Sequence, residues 1–306
     1  MVDQQTRCGF VAILGAPNAG KSTLVNALVG SKVTIVSPKV QTTRMRVIGI
    51  AMVDLPDGSR AQVVLVDTPG IFGTTRRRLE RAMVAAAWQG ADDADLVALV
   101  VDAERGIGPE TEAILERLGG QQARRLLVLN KIDLLPREKL LALASELNAR
   151  LSFDRTFMVS ALRLDGVHDV LVALGAALPA GPFLYPEDQA ADLPLRLLAA
   201  EVTREQVFLQ LHQELPYEAA VETDKWEERG DGSVRVEQTI HVQREGQRAI
   251  VLGKGGSRIK QIGARARHEL STMVDKPVHL FLHVKVSERW ADDPAHYRSL
   301  GLAYDA

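Results

Sequence analysis

Cysteine is nearly absent from this sequence, since Cys8 is the only one in 306 residues. One thiol cannot build an internal disulfide framework or a cysteine-rich metal site, so a reducing compartment such as the cytosol is expected. Long hydrophobic runs are also missing. The longest, Val170 to Leu178, has about half of the ~18 residues that suggest a membrane-spanning helix. The polar start, Met1 to Arg7, predicts no signal peptide.

The sequence also lacks a large excess of charge of either sign. The formal net charge is only −2, so nucleic acid could be attracted only by a local basic patch. Aromatic residues make up 5%, whereas 46% of residues are hydrophobic and 25% are charged, a balance that excludes disorder and a membrane-embedded body. The length predicts two domains, because domains commonly have on the order of 100 to 200 residues.

Short apolar runs alternate with helical patterns in the first part of the chain. The runs are Val11 to Leu14, Val63 to Val66, Leu96 to Val101, Leu126 to Leu129 and Thr156 to Val159. They are typical of buried parallel strands, and amphipathic stretches such as Lys21 to Val29 lie between them. This alternation predicts an α/β domain with a doubly wound, mostly parallel sheet over residues 1–178.

A proline- and glycine-rich segment follows and predicts a linker over residues 179–192. Beyond it, residues 193–306 alternate between helical and strand patterns, which predicts a smaller α+β domain. The helical patterns are Leu195 to Leu211 and Ile259 to Val274, and the strand patterns are Ala219 to Glu227, Val234 to Val242 and Val278 to Val286. Pattern alone makes Ala249 to Leu252 a strand as well.

A phosphate-binding loop is predicted directly after the first strand. Residues Gly15 to Ser22 match GxxxxGK[ST] and lead into a helix, which argues against an ordinary glycine-rich turn. Backbone N–H groups of such a loop surround phosphates, the lysine reaches the β and γ phosphates, and the serine hydroxyl can bind Mg²⁺. The candidate nucleotide-binding residues here are Gly15, Asn18, Ala19, Gly20, Lys21, Ser22 and Thr23.

Two further motifs follow buried strands. Asp67 to Gly70 form DxxG, in which Asp67 is expected to hold Mg²⁺ through water and the Gly70 N–H to meet the γ-phosphate. Asn130, Lys131 and Asp133 form NKxD, whose carboxylate accepts hydrogen bonds from guanine but not from adenine. DxxG alone could be a capped turn, but its order behind the phosphate loop favours a nucleotide site. Ser160 and Ala161 are expected to complete the base pocket with a backbone contact to the guanine oxygen. Taken alone, a Ser-Ala pair more often indicates an ordinary loop whose serine is hydrogen-bonded locally.

These ordered motifs resemble the translation-factor class of small GTPases over residues 8–178. The resemblance implies a Mg²⁺-binding threonine in the Gln41 to Arg44 run, for which Thr43 is preferred and Thr42 is the alternative. It also implies catalytic roles for Lys21, Thr43, Asp67 and Gly70. Ile71 replaces the glutamine that orients water in Ras-like enzymes, so slow intrinsic hydrolysis is expected.

The resemblance extends to GTPases in which a phosphate-loop asparagine helps to hold K⁺, which makes Asn18 a candidate K⁺ ligand. The alternative is that Asn18 only shapes the loop.

A GxxG loop marks the second domain. It comprises Gly253, Lys254, Gly255 and Gly256, and with Arg258 and Lys260 it forms the candidate RNA-binding site. Lone GxxG patterns are often turns, but the basic residues between Arg244 and Arg267 outnumber the single acid Glu245. The order of elements resembles a type II KH domain, which binds about four single-stranded nucleotides. That resemblance makes Ala249 to Leu252 a short helix, and we follow it rather than the strand pattern.

The whole chain resembles the Era family of bacterial ribosome-assembly GTPases. The stretches that carry this resemblance are Gln41 to Arg44, Tyr185 to Asp188, Glu214 to Tyr217 and Val278 to Asp293. The resemblance implies binding to the 3′ end of 16S ribosomal RNA and to the 30S subunit during its maturation, with loose association with the inner membrane and no DNA partner. Ile132 within NKxD and the short Phe72 to Arg78 stretch depart from the family pattern.

Two other functions remain open. A membrane-associated signalling GTPase could use the same basic patch to contact anionic lipid. A KH scaffold could bind GTP only for structural reasons, but the presence of Lys21, Ser22 and Asp67 argues against that function.

Overall fold

The computed structural model describes residues 6–37, 39, 42–71, 78–121, 123–211, 218–288 and 290–305. Gln41, residues 72–77 and the Glu214 to Tyr217 segment therefore lie outside the described residues. The chain divides into two compact units. The first comprises Met1–Thr34, Thr43–Asp192 and Leu300–Ala306, and the second comprises Ile35–Thr42 and Leu193–Ser299.

The first unit contains a six-stranded sheet in the order β2-β3-β1-β4-β5-β6. Its strands are β1 (Thr6–Leu14), β2 (Val47–Asp54), β3 (Arg60–Asp67), β4 (Leu96–Asp102), β5 (Arg125–Asn130) and β6 (Arg155–Val159). All five predicted strands are confirmed and pair in parallel. The additional strand β2 was not predicted, and it pairs antiparallel with β3 at the edge of the sheet.

Helices cover both faces of this sheet because its strands bury both faces. The helices are α1 (Lys21–Val29), α2 (Arg78–Asp92), α3 (Pro109–Gly119), α4 (Arg137–Arg150) and α5 (Val167–Ala177). Along β1, Val11 and Ile13 belong to the core with α1 and α5, whereas Ala12 and Leu14 belong to the core with α2, α3 and α4. The predicted doubly wound α/β fold is confirmed, and it brings the ends of β1, β3 and β5 to one edge.

The segment predicted as a linker is instead part of the first unit, which extends to Asp192 rather than ending at residue 178. Its backbone is hydrogen-bonded along the sheet: the Cys8 N–H donates to the Pro179 carbonyl at 3.2 Å, and the Ile50 N–H donates to the Ala190 carbonyl at 2.8 Å. Prolines and glycines prevent a helix here but do not prevent extended pairing. Residues Leu300–Ala306 likewise belong to the first unit, not to the second domain as predicted.

The second unit is a three-stranded sheet with helices on one face. Its elements are α6 (Leu195–Gln210), β7 (Ala220–Glu228), β8 (Val234–Val242), α7 (Glu245–Leu252), α8 (Ser257–Val274), β9 (Val278–Val286) and α9 (Pro294–Ser299). The order is β7-β8-β9, with β7 antiparallel and β9 parallel to β8. Alternate residues of β8 are buried beneath the helices, as the period-2 pattern requires.

The stretch Ala249 to Leu252 lies in α7. The strand pattern was therefore wrong and the KH resemblance right. The run is uniformly apolar, yet Val251 is fully buried while Ile250 is 47% exposed, so its hydrophobicity does not report a two-sided buried strand. Among the described residues, no helix is long and apolar enough to cross a membrane.

Candidate nucleotide and RNA sites

The phosphate loop contains residues in unusual backbone conformations. Asn18 adopts φ 64° and Gly20 adopts φ 92°, both in the left-handed region. A Cβ on Gly20 would lie 2.2 Å from Nδ2 of Asn130, so only glycine allows this close approach. The loop leads directly into α1 at Lys21, which directs the N–H groups of the first helical turn towards the loop.

Lys21 is buried at the base of this loop, with only 6% of its surface exposed. Its Nζ donates hydrogen bonds to the carbonyls of Gly15 and Ala16, both at 3.0 Å. Burial lowers the pKa of Lys21 to about 8, although the Asp67 carboxylate acts in the opposite direction. Lys21 is therefore a poorly solvated cation, and a polyphosphate would supply the negative charge that favours its protonated form.

Three hydroxyl groups converge on one carboxylate oxygen at the end of β3. Oδ2 of Asp67 accepts hydrogen bonds from Ser22 Oγ at 2.8 Å, from Thr34 Oγ1 at 3.0 Å and from Thr43 Oγ1 at 3.2 Å. Ser22 Oγ and Thr43 Oγ1 are also 2.8 Å apart. Burial raises the pKa of the Asp67 carboxyl, and the charge of Lys21 and the hydroxyl donors offset part of that effect.

The residues in this cluster fit a Mg²⁺ ion. Hydroxyl and carboxylate oxygens are the ligands that Mg²⁺ prefers. Asp67 is fully buried, and its Oδ1 has no hydrogen-bond partner among the described residues. Such an atom is costly to leave unpaired, and a metal-bound water would satisfy it.

The structure distinguishes the two candidate threonines by position. Thr43 is 6% exposed and faces Ser22 and Asp67. Thr42 instead hydrogen-bonds within its own segment, where its Oγ1 lies 2.6 Å from both Ser37 Oγ and the Lys39 carbonyl. The geometry therefore favours Thr43 as the metal ligand.

The DxxG turn lies against the phosphate loop. A Cβ on Gly70 would lie 3.0 Å from Cα of Pro17, and the Ile71 N–H donates to the Gly15 carbonyl at 3.3 Å. Ile71 is 3% exposed and packs in the core with Ala12 and Leu14. An apolar, buried side chain at this position cannot orient a water molecule.

The predicted base pocket is joined to the phosphate loop by Asn130. Its Nδ2 donates to the Ala19 carbonyl at 3.0 Å, and its Oδ1 accepts from the Ala161 N–H at 3.0 Å. Lys131 has φ 66°, which turns the chain between Asn130 and Asp133. The structure thus brings together all the predicted base-site residues, which are Asn130, Lys131, Asp133, Ser160 and Ala161.

Asp133 is positioned to remain ionised. A hydrogen bond from the Ser160 side chain is the main cause that holds the pKa of Asp133 below its usual range, and the nearby charges of Arg163 and Lys131 add to it. Its carboxylate lies 3.5 Å from Nε of Arg163, and its side chain is 11% exposed. An ionised carboxylate is the form that accepts two hydrogen bonds from guanine.

Sequence reasoning missed three residues of this site. Asp102, at the end of β4, accepts from Lys131 Nζ at 2.6 Å and so fixes the lysine of NKxD. Asn26 binds the Val33 and Thr34 N–H groups at 2.9 and 3.0 Å, which places the Thr34 hydroxyl on Asp67. Asp102 could have been found from its position at the end of a predicted strand, whereas Asn26 and Thr34 belong to no motif.

The GxxG loop lies between α7 and α8, and its three glycines adopt positive φ. Gly253, Gly255 and Gly256 have φ values of 70°, 59° and 76°. A Cβ on Gly253 would lie 2.7 Å from Cβ of Arg258, whereas nothing lies within 4 Å of a Cβ on Gly255 or Gly256. The loop is thus tight on its inner side and open on its outer side, as close approach of a nucleic-acid backbone requires.

Basic side chains lie in this loop and along the two helices that flank it. Lys254 and Lys260 are exposed, and Arg258 is half-buried with a hydrogen bond of 3.2 Å to the Ile250 carbonyl. The remaining cations of the patch, Arg244, Arg248, Arg265 and Arg267, are also exposed. Ile250, 47% exposed in α7, adds an apolar side chain to this surface that the sequence analysis did not include.

Comparisons with known proteins match this chain to GTPases and to KH domains. Residues 10–131 match the family model described as 50S ribosome-binding GTPase, and residues 214–291 match the model of the KH domain. GTPase Era of Afipia carboxidovorans is 61% identical over 299 residues, which cover 98% of this chain and 95% of that protein. GTPase Era of a Bradyrhizobium species is 59% identical over 300 residues, which cover 98% of this chain and 96% of that protein.

Two solved structures of Era are also similar. One is Era in complex with MgGDPNP and nucleotides 1506–1542 of 16S ribosomal RNA, with a TM-score of 0.90, 37% identity and coverage of 97% of this chain and 99% of that chain. The other is a variant of Aquifex aeolicus Era bound to GDP.AlF4-, with a TM-score of 0.90, 37% identity and coverage of 96% of this chain and 99% of that chain.

Proposed function

Because this chain belongs to the Era family of GTPases, we propose that it binds the 3′ end of 16S ribosomal RNA through its KH domain and assists maturation of the 30S subunit. In this function GTP and GDP are alternative ligands, and nucleotide exchange and GTP hydrolysis control when the protein binds RNA. The protein would act in the cytoplasm, with peripheral contact to the inner membrane.

One combination of features carries this proposal. A guanine-nucleotide site with its motifs joined by hydrogen bonds and an open GxxG loop, flanked by helices that carry exposed cations, occur in the same chain. A relative of the same architecture binds a Mg-nucleotide and 16S ribosomal RNA nucleotides together. The basic patch supports contact with phosphates, and the positive-φ glycines support close approach of the RNA backbone.

The proposed mechanism assigns separate tasks to the residues of the nucleotide site. Asp133, with Asn130, Lys131, Ser160 and Ala161, selects and holds guanine. The backbone of Gly15, Asn18, Ala19 and Gly20 surrounds the phosphates, Thr23 lies in the first turn of α1 beside them, and Lys21 neutralises part of their charge. Mg²⁺, when bound, neutralises further charge on the β and γ phosphates, and Ser22, Thr43 and Asp67 would hold it. The Gly70 N–H contacts the γ-phosphate.

Intrinsic hydrolysis is proposed to be slow because Ile71 is apolar and buried. Asn18 is the proposed K⁺ ligand. Its left-handed backbone is also a conformation that asparagine tolerates well, so shaping of the loop remains the alternative role.

A charge-reversal experiment tests the RNA-binding role. The double variant Lys254→Glu, Gly255→Asp places two carboxylates on the open side of the loop, and we expect affinity for RNA corresponding to nucleotides 1506–1542 to fall about 100-fold or more. GTP hydrolysis without RNA should be unchanged. The matched control is Lys285→Glu, because Lys285 is exposed on β9 outside the loop. Equal RNA affinity of the double variant and the control would contradict the proposal.

The same variants discriminate the membrane-signalling function. In that function the wild-type protein would bind vesicles of anionic lipid but not the RNA, and the double variant would lose the vesicles. Binding to RNA with no loss on mixing with such vesicles supports the ribosomal function.

A further inference from the structure

Thr34 contacts the carboxylate of Asp67, although it belongs to none of the nucleotide-binding motifs. Its Oγ1 donates to Asp67 Oδ2 at 3.0 Å, and the two residues are 3% and 0% exposed. Ser22 and Thr43 donate to the same oxygen, but in the proposed mechanism their hydroxyl oxygens would also hold Mg²⁺. Thr34 is therefore the donor to Asp67 that has no second task at the metal. All four residues belong to the first unit.

The position of Thr34 is set by the side chain of Asn26. Asn26 Oδ1 accepts from the N–H groups of Val33 and Thr34 at 2.9 and 3.0 Å, and Asn26 Nδ2 donates to the Thr34 carbonyl at 2.8 Å. Both polar backbone groups of Thr34 are thus paired with one side chain. Because a β-branched side chain also has few rotamers, the Thr34 hydroxyl has a well-defined position.

Helix α1 supplies both Asn26 and Ser22. These residues are four positions apart, so they lie on the same face of the helix, one turn from each other. Ser22 reaches Asp67 directly, and Asn26 reaches it through Thr34. The result is a closed ring of hydrogen bonds that joins the first two turns of α1 to the end of β3.

The two oxygens of the Asp67 carboxylate have different surroundings. Oδ2 accepts from all three hydroxyls, whereas Oδ1 has no hydrogen-bond partner among the described residues. Three donors on one oxygen restrict rotation of the carboxylate and leave Oδ1 as the oxygen that can accept from a metal-bound water. Loss of the Thr34 hydroxyl would remove one of these restraints without removing a metal ligand.

We propose that Thr34 is a positioning residue for Mg²⁺, which acts by holding the Asp67 carboxylate in the orientation that receives a metal-bound water. Asp67 serves the metal with either nucleotide, so Thr34 supports Mg²⁺ binding with GDP and with GTP alike. This inference deepens the proposed function. It rests on the assignment of Mg²⁺ to this site and does not depend on the RNA.

Thr34→Val tests this role, because valine keeps the branched shape of threonine and lacks the hydroxyl. Mg²⁺ is titrated into the full-length protein carrying a fluorescent GDP, and we expect the affinity for Mg²⁺ to fall about tenfold. Affinity for GDP in EDTA should be unchanged, since no phosphate contact is lost. Thr34→Ser retains the hydroxyl and should restore most of the affinity for Mg²⁺. A non-hydrolysable GTP analogue should give the same order of variants.

The matched control is Thr203→Val. Thr203 is also fully buried, and its hydroxyl donates to Gln238 Oε1 at 2.5 Å, but it lies in the second unit. Thermal unfolding establishes that each variant is folded, and the control should bind Mg²⁺ as the wild type does. An equal fall in the control, or an equal loss of GDP affinity with and without Mg²⁺ in Thr34→Val, would show a merely structural effect and overturn the proposal.

Two further outcomes would separate this inference from the function on which it rests. If Mg²⁺ strengthens GDP binding equally in the wild type and in Thr34→Val, the inference fails and the metal site stands. A loss seen with the GTP analogue but not with GDP would mean that Thr34 acts by placing Thr43, which also overturns the inference. If Mg²⁺ does not strengthen GDP binding even in the wild type, the metal assignment and the inference fail together.

Discussion

The nucleotide site and the GxxG loop differ in which atoms face the ligand. In the nucleotide site, buried side chains such as Lys21, Asp67 and Asn130 are held by hydrogen bonds to the surrounding protein. The GxxG loop instead presents backbone in left-handed conformations, with exposed lysines around it. The nucleotide site should therefore respond sharply to single side-chain changes, whereas the loop should respond mainly to changes of backbone freedom and of total charge.

The largest effect is expected at the base-selecting carboxylate. Asp133→Asn replaces an acceptor of two hydrogen bonds with a group that presents a donor to guanine, so affinity for GDP should fall about 10³-fold or more. Affinity for xanthosine diphosphate should rise, because its 2-carbonyl accepts from the new amide. Competition with a fluorescent nucleotide measures both. RNA affinity in the absence of nucleotide serves as the control. A small loss of GDP affinity would mean that Asp133 does not contact the base.

The pH dependence of nucleotide binding should report the buried lysine. The free protein has a pKa of about 8 at Lys21, lowered by burial, and the phosphates bind the protonated form. As the pH rises through this pKa the free protein loses the proton, so binding must take one up. Between about pH 7 and pH 9, affinity for GDP should fall about tenfold. Guanosine, which lacks phosphates but shares the titration of the base, is the control ligand, and a parallel fall for both ligands would contradict the assignment.

Two glycines of the loop should differ although both have positive φ. Gly253→Ala forces a Cβ against Arg258 and should destabilise the second unit by about 2 kcal/mol or more. Gly255→Ala meets open space and should cost only about 1 kcal/mol of backbone strain. Thermal unfolding of the two variants measures the difference. Equal costs would show that backbone conformation alone, without close packing, governs the loop.

The smallest effect concerns the monovalent cation. If Asn18 contributes to a K⁺ site, GTP turnover should be at least about twofold faster in KCl than in NaCl at equal ionic strength. Asn18→Gly separates ligation from loop shape, because glycine tolerates the left-handed backbone of Asn18 but has no side chain to bind a cation. Equal turnover of the wild-type protein in both salts removes the K⁺ site and leaves Asn18 as a loop-shaping residue.

Local patterns predicted the sheet and the motifs at its edge well. Buried parallel strands are short, apolar and bounded by turns, so β1, β3, β4, β5 and β6 could be recognised without knowledge of their partners. Strand β2 was missed, although most of Val47–Asp54 is also apolar, because an antiparallel edge strand belongs to no βαβ unit.

Contacts between distant segments could not be predicted. The hydrogen bond from Thr34 to Asp67 and the one from Arg204 to the Thr42 carbonyl join residues that share no motif and no period. The pairing of residues 179–192 along the sheet likewise depends on partners such as Gln62, whose Oε1 accepts from the Tyr185 N–H at 3.0 Å. The composition of this segment predicts that it is not helical, but it does not predict which backbone groups the segment will hydrogen-bond to.

The amide of Asn130 spans the floor of the nucleotide site. One end of this side chain holds the phosphate loop at Ala19, and the other holds the base loop at Ala161. The loop at the phosphate end of a bound nucleotide and the loop at its base end would therefore be linked through this one side chain. Loss of order in the loop at Ala161 would weaken the hydrogen bonding that positions the loop at Ala19. A nucleotide whose base fits poorly would then lose phosphate contacts as well as base contacts.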